Sequence, residues 1–251
     1  MTINAWRVFR RHLHLLKKTW MTNLMFNFIE PFLYLVAMGF GLGNLVQEVE
    51  GVSYLQFIGL GMIASSAMWA ATFEATYGSF VRLHYQKTYH AMLAAPATVA
   101  DVVFGDLLFA SLKSLIFGAV ILIVVTGLGL VHSAWALCIL PFLPVHGFFF
   151  ATVALTFTGW SKHIDYFNYY ITLFSTPLFL FSGIFFPVGT LPGWAQTLAW
   201  LNPLYHSVEV VRQLGLGRPE PVLLLHLLVL VLLSAALAWA PVRLMEKRLI
   251  Q

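Results

Sequence analysis

Very few side chains in this sequence are equipped for chemistry, and the one that stands out sits where a charge is costly. Glu74 is the only acid in the apolar stretch over residues 54–80, and Thr72, Thr76 and Tyr77 lie beside it. An ionisable group at membrane depth faces either a cavity or a partner. Glu74 therefore has two readings: a structural ion pair, with Lys113 as partner, or a part in gating or substrate passage. Thr72 and Thr76, four apart, share one helix face. No reaction centre assembles elsewhere. The sequence contains no GxxxxGK[ST] loop, GxSxG elbow, HExxH pair or CxxC motif. Its nine histidines, His206 among them, are scattered without ligand spacing, and the single cysteine, Cys138, lies inside an apolar run. Work against a gradient must then draw on a partner or on an ion flux. An ion-coupled carrier calls for several membrane-depth acids and an internal repeat, and neither is visible here. A membrane enzyme acting on lipids calls for a cluster of His, Asp or Glu, which the linear sequence does not display.

Aromatic side chains form the second pattern. Tyr166, Tyr170, Phe174, Phe181 and Phe185 recur at near-helical spacing, with Phe167 and Tyr169 beside them. Such a face either stacks on sugar rings and acyl chains or faces lipid and neighbouring helices. Glu209 and Arg212, three apart, form either an ordinary helix ion pair or an anchor for the segment before them.

The elements that must position these groups are membrane helices. Of 251 residues 60% are apolar and only 10% charged, far from the soluble average of about 25% charged. A crossing needs roughly 20 mostly apolar residues, and charge-free runs over 31–47, 51–73, 114–161, 166–208 and 221–242 supply several. The spacing predicts an all-α membrane protein with six transmembrane helices over 23–44, 54–80, 107–129, 134–160, 166–186 and 221–241. Residues 1–22 precede them as an interfacial helix. There Trp6, Phe9, Leu13, Leu16 and Trp20 form an apolar stripe between Arg7, Arg10, Arg11, Lys17 and Lys18. No short apolar stretch within 1–25 ends in a small-residue cleavage site, so the first crossing is expected to stay in the mature protein. Gly39, Gly41 and Gly43 favour close approach of a neighbouring helix. Residues 187–210, broken by Pro187, Pro192 and Pro203, read as an outer re-entrant helical hairpin between helices 5 and 6. The polar segment 82–106 is either a protruding helix onto which a soluble partner docks or a plain surface loop.

Basic residues fix the orientation. With both termini inside, twelve of the 14 Lys and Arg residues fall on inner segments, and only Arg212 and Arg218 fall outside. The positive net charge of +4 reports this topology and not nucleic-acid binding, because the cations do not cluster on a soluble module.

An amphipathic first helix, six crossings, a polar helix between the second and third, and an outer hairpin after the fifth together resemble the ABC-2 type permeases of ATP-binding-cassette exporters. The resemblance covers essentially the whole chain. Its most specific stretches are FEATYGSFVR at 73–82 with YQKT at 85–88, and FSGIFFP at 181–187 with Leu191-Pro192 and NPLY at 202–205. The first is similar to the NodJ-type subfamily, which exports nodulation lipo-oligosaccharides; relatives of the same architecture move drugs, polysaccharides and glycolipids. The resemblance implies a cell inner membrane homodimer without catalytic residues or a cofactor of its own. Two copies of a separate cytoplasmic ATPase would carry ATP and Mg. Arg82, Gln86, Lys87, Thr88 and His90, in a coupling segment over 82–100, would receive the ATPase's motion, together with the first helix. Glu74, Thr76, Tyr77, Tyr170, Phe174 and Phe181 would line the pathway, and Pro187, Pro192, Trp194, Asn202 and Pro203 the outer gate. The cargo implied is an amphiphilic glycolipid or lipo-oligosaccharide, with a hydrophobic drug as the alternative.

Overall fold

The structure, a computed structural model, describes residues 3–43, 45–46, 48–131 and 133–250, with the backbone alone at 22–24, 26–28 and 30. Asn44, at an expected helix end, and His132, in an expected break, lie outside them. The chain is mostly helical. Among the described residues, four helical stretches are long and apolar enough to cross a membrane: Tyr54–Tyr85, Val99–Gly127, Ala134–Trp160 and Val222–Leu249.

Helix α1 (Ile3–Gly41) runs unbroken for 39 residues, so the expected interfacial helix and first crossing are one element. The reason is in the sequence: neither Gly nor Pro occurs between Ile3 and Glu30, and Pro31 comes only in the last third. Ala5, Val8 and His12 form its buried face, while Trp6 and Trp20 stay exposed. A two-residue hairpin follows, β1 (Glu48–Val49) against β2 (Val52–Ser53). Its turn is Glu50-Gly51, both at positive φ, the twist that suits a tight hairpin.

Helix α2 (Tyr54–Phe73) opens on Ser53, whose hydroxyl accepts from Gln56 N at 3.3 Å. It is the hub of the bundle and packs on α1, α4 (Val99–Gly127), α5 (Ile139–Trp160) and α9 (Pro203–Leu216). Its side chains Phe57, Ile58, Leu60 and Ile63 are fully buried. The helix does not stop at the expected Phe80; it continues to Tyr85 through two π-helical turns, Glu74–Gly78 and Val81–Tyr85. A corner at Lys87, φ 53°, leads into the short α3 (Thr88–Leu93). α4 then starts at Val99, eight residues before the expected Leu107, because Thr98 and Asp101 form a reciprocal capping box. The polar connector is thereby shorter than 82–106, and both Arg82 and Asp106 lie within helices. α4 and α5 approach closely at Gly147, where an added Cβ would lie 2.3 Å from Ser114 Cβ. Of the first-helix glycines, Gly39 abuts Leu55, and Gly41 faces open space.

The fifth helical segment is shorter than the expected 166–186. It comprises α6 (Tyr166–Tyr169), a π-helical stretch at Tyr170–Ser175 and α7 (Thr176–Leu180), and the chain then turns at Gly183, φ 79°. That length rises about 22 Å, less than the ~30 Å hydrocarbon layer. Beyond it lie α8 (Gly193–Trp200) and α9, which ends past the expected Val210, at Leu216 before the left-handed Gly217. Asn202 caps α9 by accepting from Leu204 N, and it donates to the Leu178 carbonyl at 2.7 Å. α10 (Val222–Leu237) buries only His226, Leu230 and Ser234. α11 (Ala240–Leu249) follows it and packs on the end of α5, where Arg248 Nη1 donates to the Thr158 carbonyl at 2.9 Å.

Candidate functional site

Six ionisable side chains from four elements converge inside the bundle. From the helix that begins as α2, Glu74 Oε1 stands 2.5 Å from Arg82 Nη1, and Glu74 Oε2 stands 2.7 Å from Lys113 Nζ on α4. Arg82 Nη2 reaches Asp106 Oδ2, also on α4, at 3.0 Å. Asp106 Oδ2 further accepts from Ser79 Oγ at 2.8 Å and from the Tyr89 hydroxyl on α3. His12 Nε2, on α1, lies 2.7 Å from Asp106 Oδ1. All six are buried. Two carboxylates facing one guanidinium and one ammonium balance in charge, which is what makes burial tolerable: each ion loses hydration and regains a charged partner. Burial, and then the neighbouring Asp106 charge, push the Tyr89 phenol well above its ordinary pKa, so it remains a proton donor.

The chain reaches this arrangement by simple spacing. Glu74 and Arg82 are eight apart, and Asp106 and Lys113 are seven apart, each about two helical turns. The helices run antiparallel, so acid meets base at both levels. Of the two readings of Glu74, the ion pair with Lys113 is present, extended by Arg82. His12, Ser79, Tyr89 and Asp106 were not among the expected site residues. The nested order acid, base, acid, base over 74, 82, 106 and 113 is the sequence signal that would have found Asp106.

Among the expected coupling residues, Gln86, Lys87 and His90 are exposed around the Lys87 corner, whereas Thr88 is buried and Arg82 belongs to the ion network. The exposed corner and the network are thus joined through Tyr89.

The expected pathway residues separate into four places. Glu74 and Thr76 are interior, Thr76 Oγ1 donating to the Thr72 carbonyl at 2.7 Å. Tyr77 donates to Asn168 Oδ1 at 3.4 Å. Tyr170 and Phe174 line an open, almost wholly apolar groove of about 840 Å³ with Phe157, Trp160, Tyr166 and Tyr169. Phe181 instead shares a smaller hollow of about 380 Å³ with Pro177 on α7 and with Trp194 and Asn202 from the segment beyond it. Pro187 and Pro192 flank the single turn Val188–Thr190, and Pro203 is the first residue of α9.

Glu209 and Arg212 form their ion pair at 2.7 Å, and Arg212 does more than pair. Its Nη2 donates to the Gly183 carbonyl at 2.7 Å, and its guanidinium lies 3.9 Å from the Phe57 ring centroid. One side chain therefore ties α9 to α2 and to the turn after α7. Arg212→Ala is expected to cost about 2–3 kcal/mol, since it leaves Glu209 and a buried carbonyl unpaired. Thermal unfolding in detergent measures this, and an unchanged midpoint would refute the anchor.

Long apolar helices packed around a buried ion network define the class of multi-pass helical membrane proteins. Comparison with known proteins gives the family: the chain belongs to the ABC-2 type transporters, whose family pattern matches residues 4–216. It is 36% identical to Nodulation protein J of Sinorhizobium fredii (strain NBRC 101917 / NGR234) over 250 residues, 98% of this chain and 95% of that one. To Nodulation protein J of Rhizobium leguminosarum bv. viciae it is 40% identical over 228 residues, 91% of this chain and 88% of the relative. The Inner membrane transport permease YadH of Escherichia coli (strain K12) is 26% identical over 222 residues, covering 84% of this chain and 82% of its own. ABC-2 permeases pair with ABC ATPase subunits.

Proposed function

We infer that this chain is the membrane half of an exporter that moves an amphiphilic glycolipid or lipo-oligosaccharide outward across the cell inner membrane. Two copies form the permease, and two copies of a cytoplasmic ATPase, loaded with ATP and Mg, drive it. Six crossings leave both termini in the cytoplasm; the first is the apolar part of α1, the fifth is the segment from α6 to α7 completed by the non-helical residues 181–186, and the hairpin of α8 and α9 shapes the outer exit.

The observation that carries this reading is the Tyr89 hydroxyl on Asp106. α3 lies at the exposed corner where an ATPase would press, and through Asp106 and Arg82 any displacement of α3 acts on Glu74 and its π-helical turn. Support for the cargo comes from the aromatic groove along α5 and α6. An apolar, aromatic surface of that size accepts acyl chains and sugar faces through contacts that are easily exchanged. The relatives named Nodulation protein J point the same way, and the inner membrane placement accords with the permease named for it.

Co-purification with a cytoplasmic ATPase, followed by cargo analysis in a deletion strain, tests the assignment. The expected result is an intracellular build-up of a lipid-linked oligosaccharide. Raised drug sensitivity without that build-up would shift the cargo to a hydrophobic drug, and transport by the purified chain alone would overturn the ATP-driven mechanism. Within the complex, Lys87→Glu and Ala91→Pro alter the exposed face of α3 and its corner. Each is expected to reduce export about tenfold while ATP hydrolysis continues, a coupling loss of ordinary size. Wild-type export by both variants would remove α3 from the coupling path.

A further inference from the structure

The first turns of α1 meet the loop that follows α3. Asn4 Nδ2 donates to the Pro96 carbonyl at 2.6 Å, and Arg7 Nη1 donates to Asn4 Oδ1 at 3.2 Å. Beside these bonds lies a notch of about 190 Å³ with two chemically different halves. Asn4, Arg7 and Arg11 form the polar half; Val8, Met92 and Pro96 form the apolar one. Arg7 and Arg11 are four apart on one helix face. No acid precedes Glu30 in the sequence. Among the described residues, the ion pairs include none of the five cations Arg7, Arg10, Arg11, Lys17 and Lys18. Partial burial, and then the Arg82 guanidinium, hold the Arg11 pKa below its ordinary value, yet Arg11 is exposed and stays charged, open to an anion. Trp6 and Trp20 are exposed on the same helix, as side chains at a membrane–water boundary are.

We propose that this notch binds one anionic phospholipid, its phosphate on Arg7 and Arg11 and its glycerol and first acyl carbons against Val8, Met92 and Pro96. The volume suits a headgroup and is too small for a helix of a protein partner. The apolar half selects a lipid over a soluble phosphate. Zwitterionic phosphatidylcholine competes poorly, because its own ammonium opposes the two guanidinium groups.

The full-length permease, purified without an ATPase from nanodiscs of equal dioleoyl-phosphatidylglycerol and dioleoyl-phosphatidylcholine, is examined for retained lipid by native mass spectrometry. The assay reads the permease alone, so its outcome is independent of cargo and of ATP coupling. The wild type should retain one phosphatidylglycerol in preference to phosphatidylcholine. Arg7→Gln/Arg11→Gln should reduce that preference about 10- to 30-fold, from roughly 1 kcal/mol per cation near a membrane surface. Lys17→Gln/Lys18→Gln, on the same helix but outside the notch, should leave it within about twofold. Equal losses in the two pairs would mean diffuse attraction to headgroups and overturn the site. So would retention of both lipids alike, or displacement of the lipid by millimolar inorganic phosphate.

Discussion

Asp106→Ala should cost about 3–5 kcal/mol and leave a permease that no longer couples, because it strips one carboxylate from four partners at once. Arg82 Nη2, the Tyr89 hydroxyl, Ser79 Oγ and His12 Nε2 all converge on that group. After its removal Glu74 alone faces both Arg82 and Lys113, and one buried cation has no counter-charge. A second substitution separates charge from packing. Arg82→Met added to Asp106→Ala restores the balance of Glu74 with Lys113, and the double variant should recover a measurable part of the lost stability. Unfolding midpoints of the wild type, both single variants and the double variant, taken in one detergent, give the coupling energy. Strict additivity would show that Arg82 and Asp106 do not depend on each other.

Gly147→Leu is the second large effect, and its origin is steric. A Cβ at 147 would stand 2.3 Å from Ser114 Cβ and 3.1 Å from Ser111 Cα. The second contact is backbone and cannot rotate away. α5 must therefore leave α4, with a cost of about 3 kcal/mol or more and loss of assembled protein from the membrane. Gly41→Ala is the matching control: nothing lies within 4 Å of a Cβ there, and a change of no more than about 0.5 kcal/mol is expected. Comparable loss in the two variants, read as folded protein recovered after mild detergent extraction, would contradict the role of close approach at 147.

What the amino-acid order makes legible is set by how local the physics is. Long apolar runs mark the four helical stretches that, among the described residues, are long enough to cross a membrane, since hydrocarbon burial leaves a continuous signature. The pairings of Glu74 with Lys113 and of Glu209 with Arg212 are also readable, because an isolated acid in an apolar stretch demands a cation. The extent of the second helix is not readable in the same way. Arg82, His84 and Lys87 look like a solvated connector, yet the helix carries on to Tyr85 because Arg82 is neutralised by side chains 8 and 24 positions away. Asp106 and Tyr89 belong to the same nonlocal solution. The end of the fifth segment fails for a different reason: Phe185 and Phe186 continue the apolar character, but Gly183 takes a positive φ and its carbonyl is held by Arg212, 29 positions on. Family resemblance indicated the region around 86–90 without indicating that Tyr89 is its link to the interior.

The π-helical turns carry a mechanical consequence. Each holds one residue more than an α-turn, so tightening one of them carries the chain beyond it about 100° around the axis and 1.5 Å along it. In the stretch from Glu74 to Tyr85 the portion above, Tyr54–Phe73, is gripped on all sides and stays fixed, while the part below ends in the exposed corner at Lys87. A third such turn, Tyr170–Ser175, lies just past Phe167, whose ring meets Tyr77 and Phe80 at 5.1 and 5.3 Å. The lower end of this rod is built as a crankshaft journalled in its own upper half, with a second shaft geared to it through three aromatic teeth.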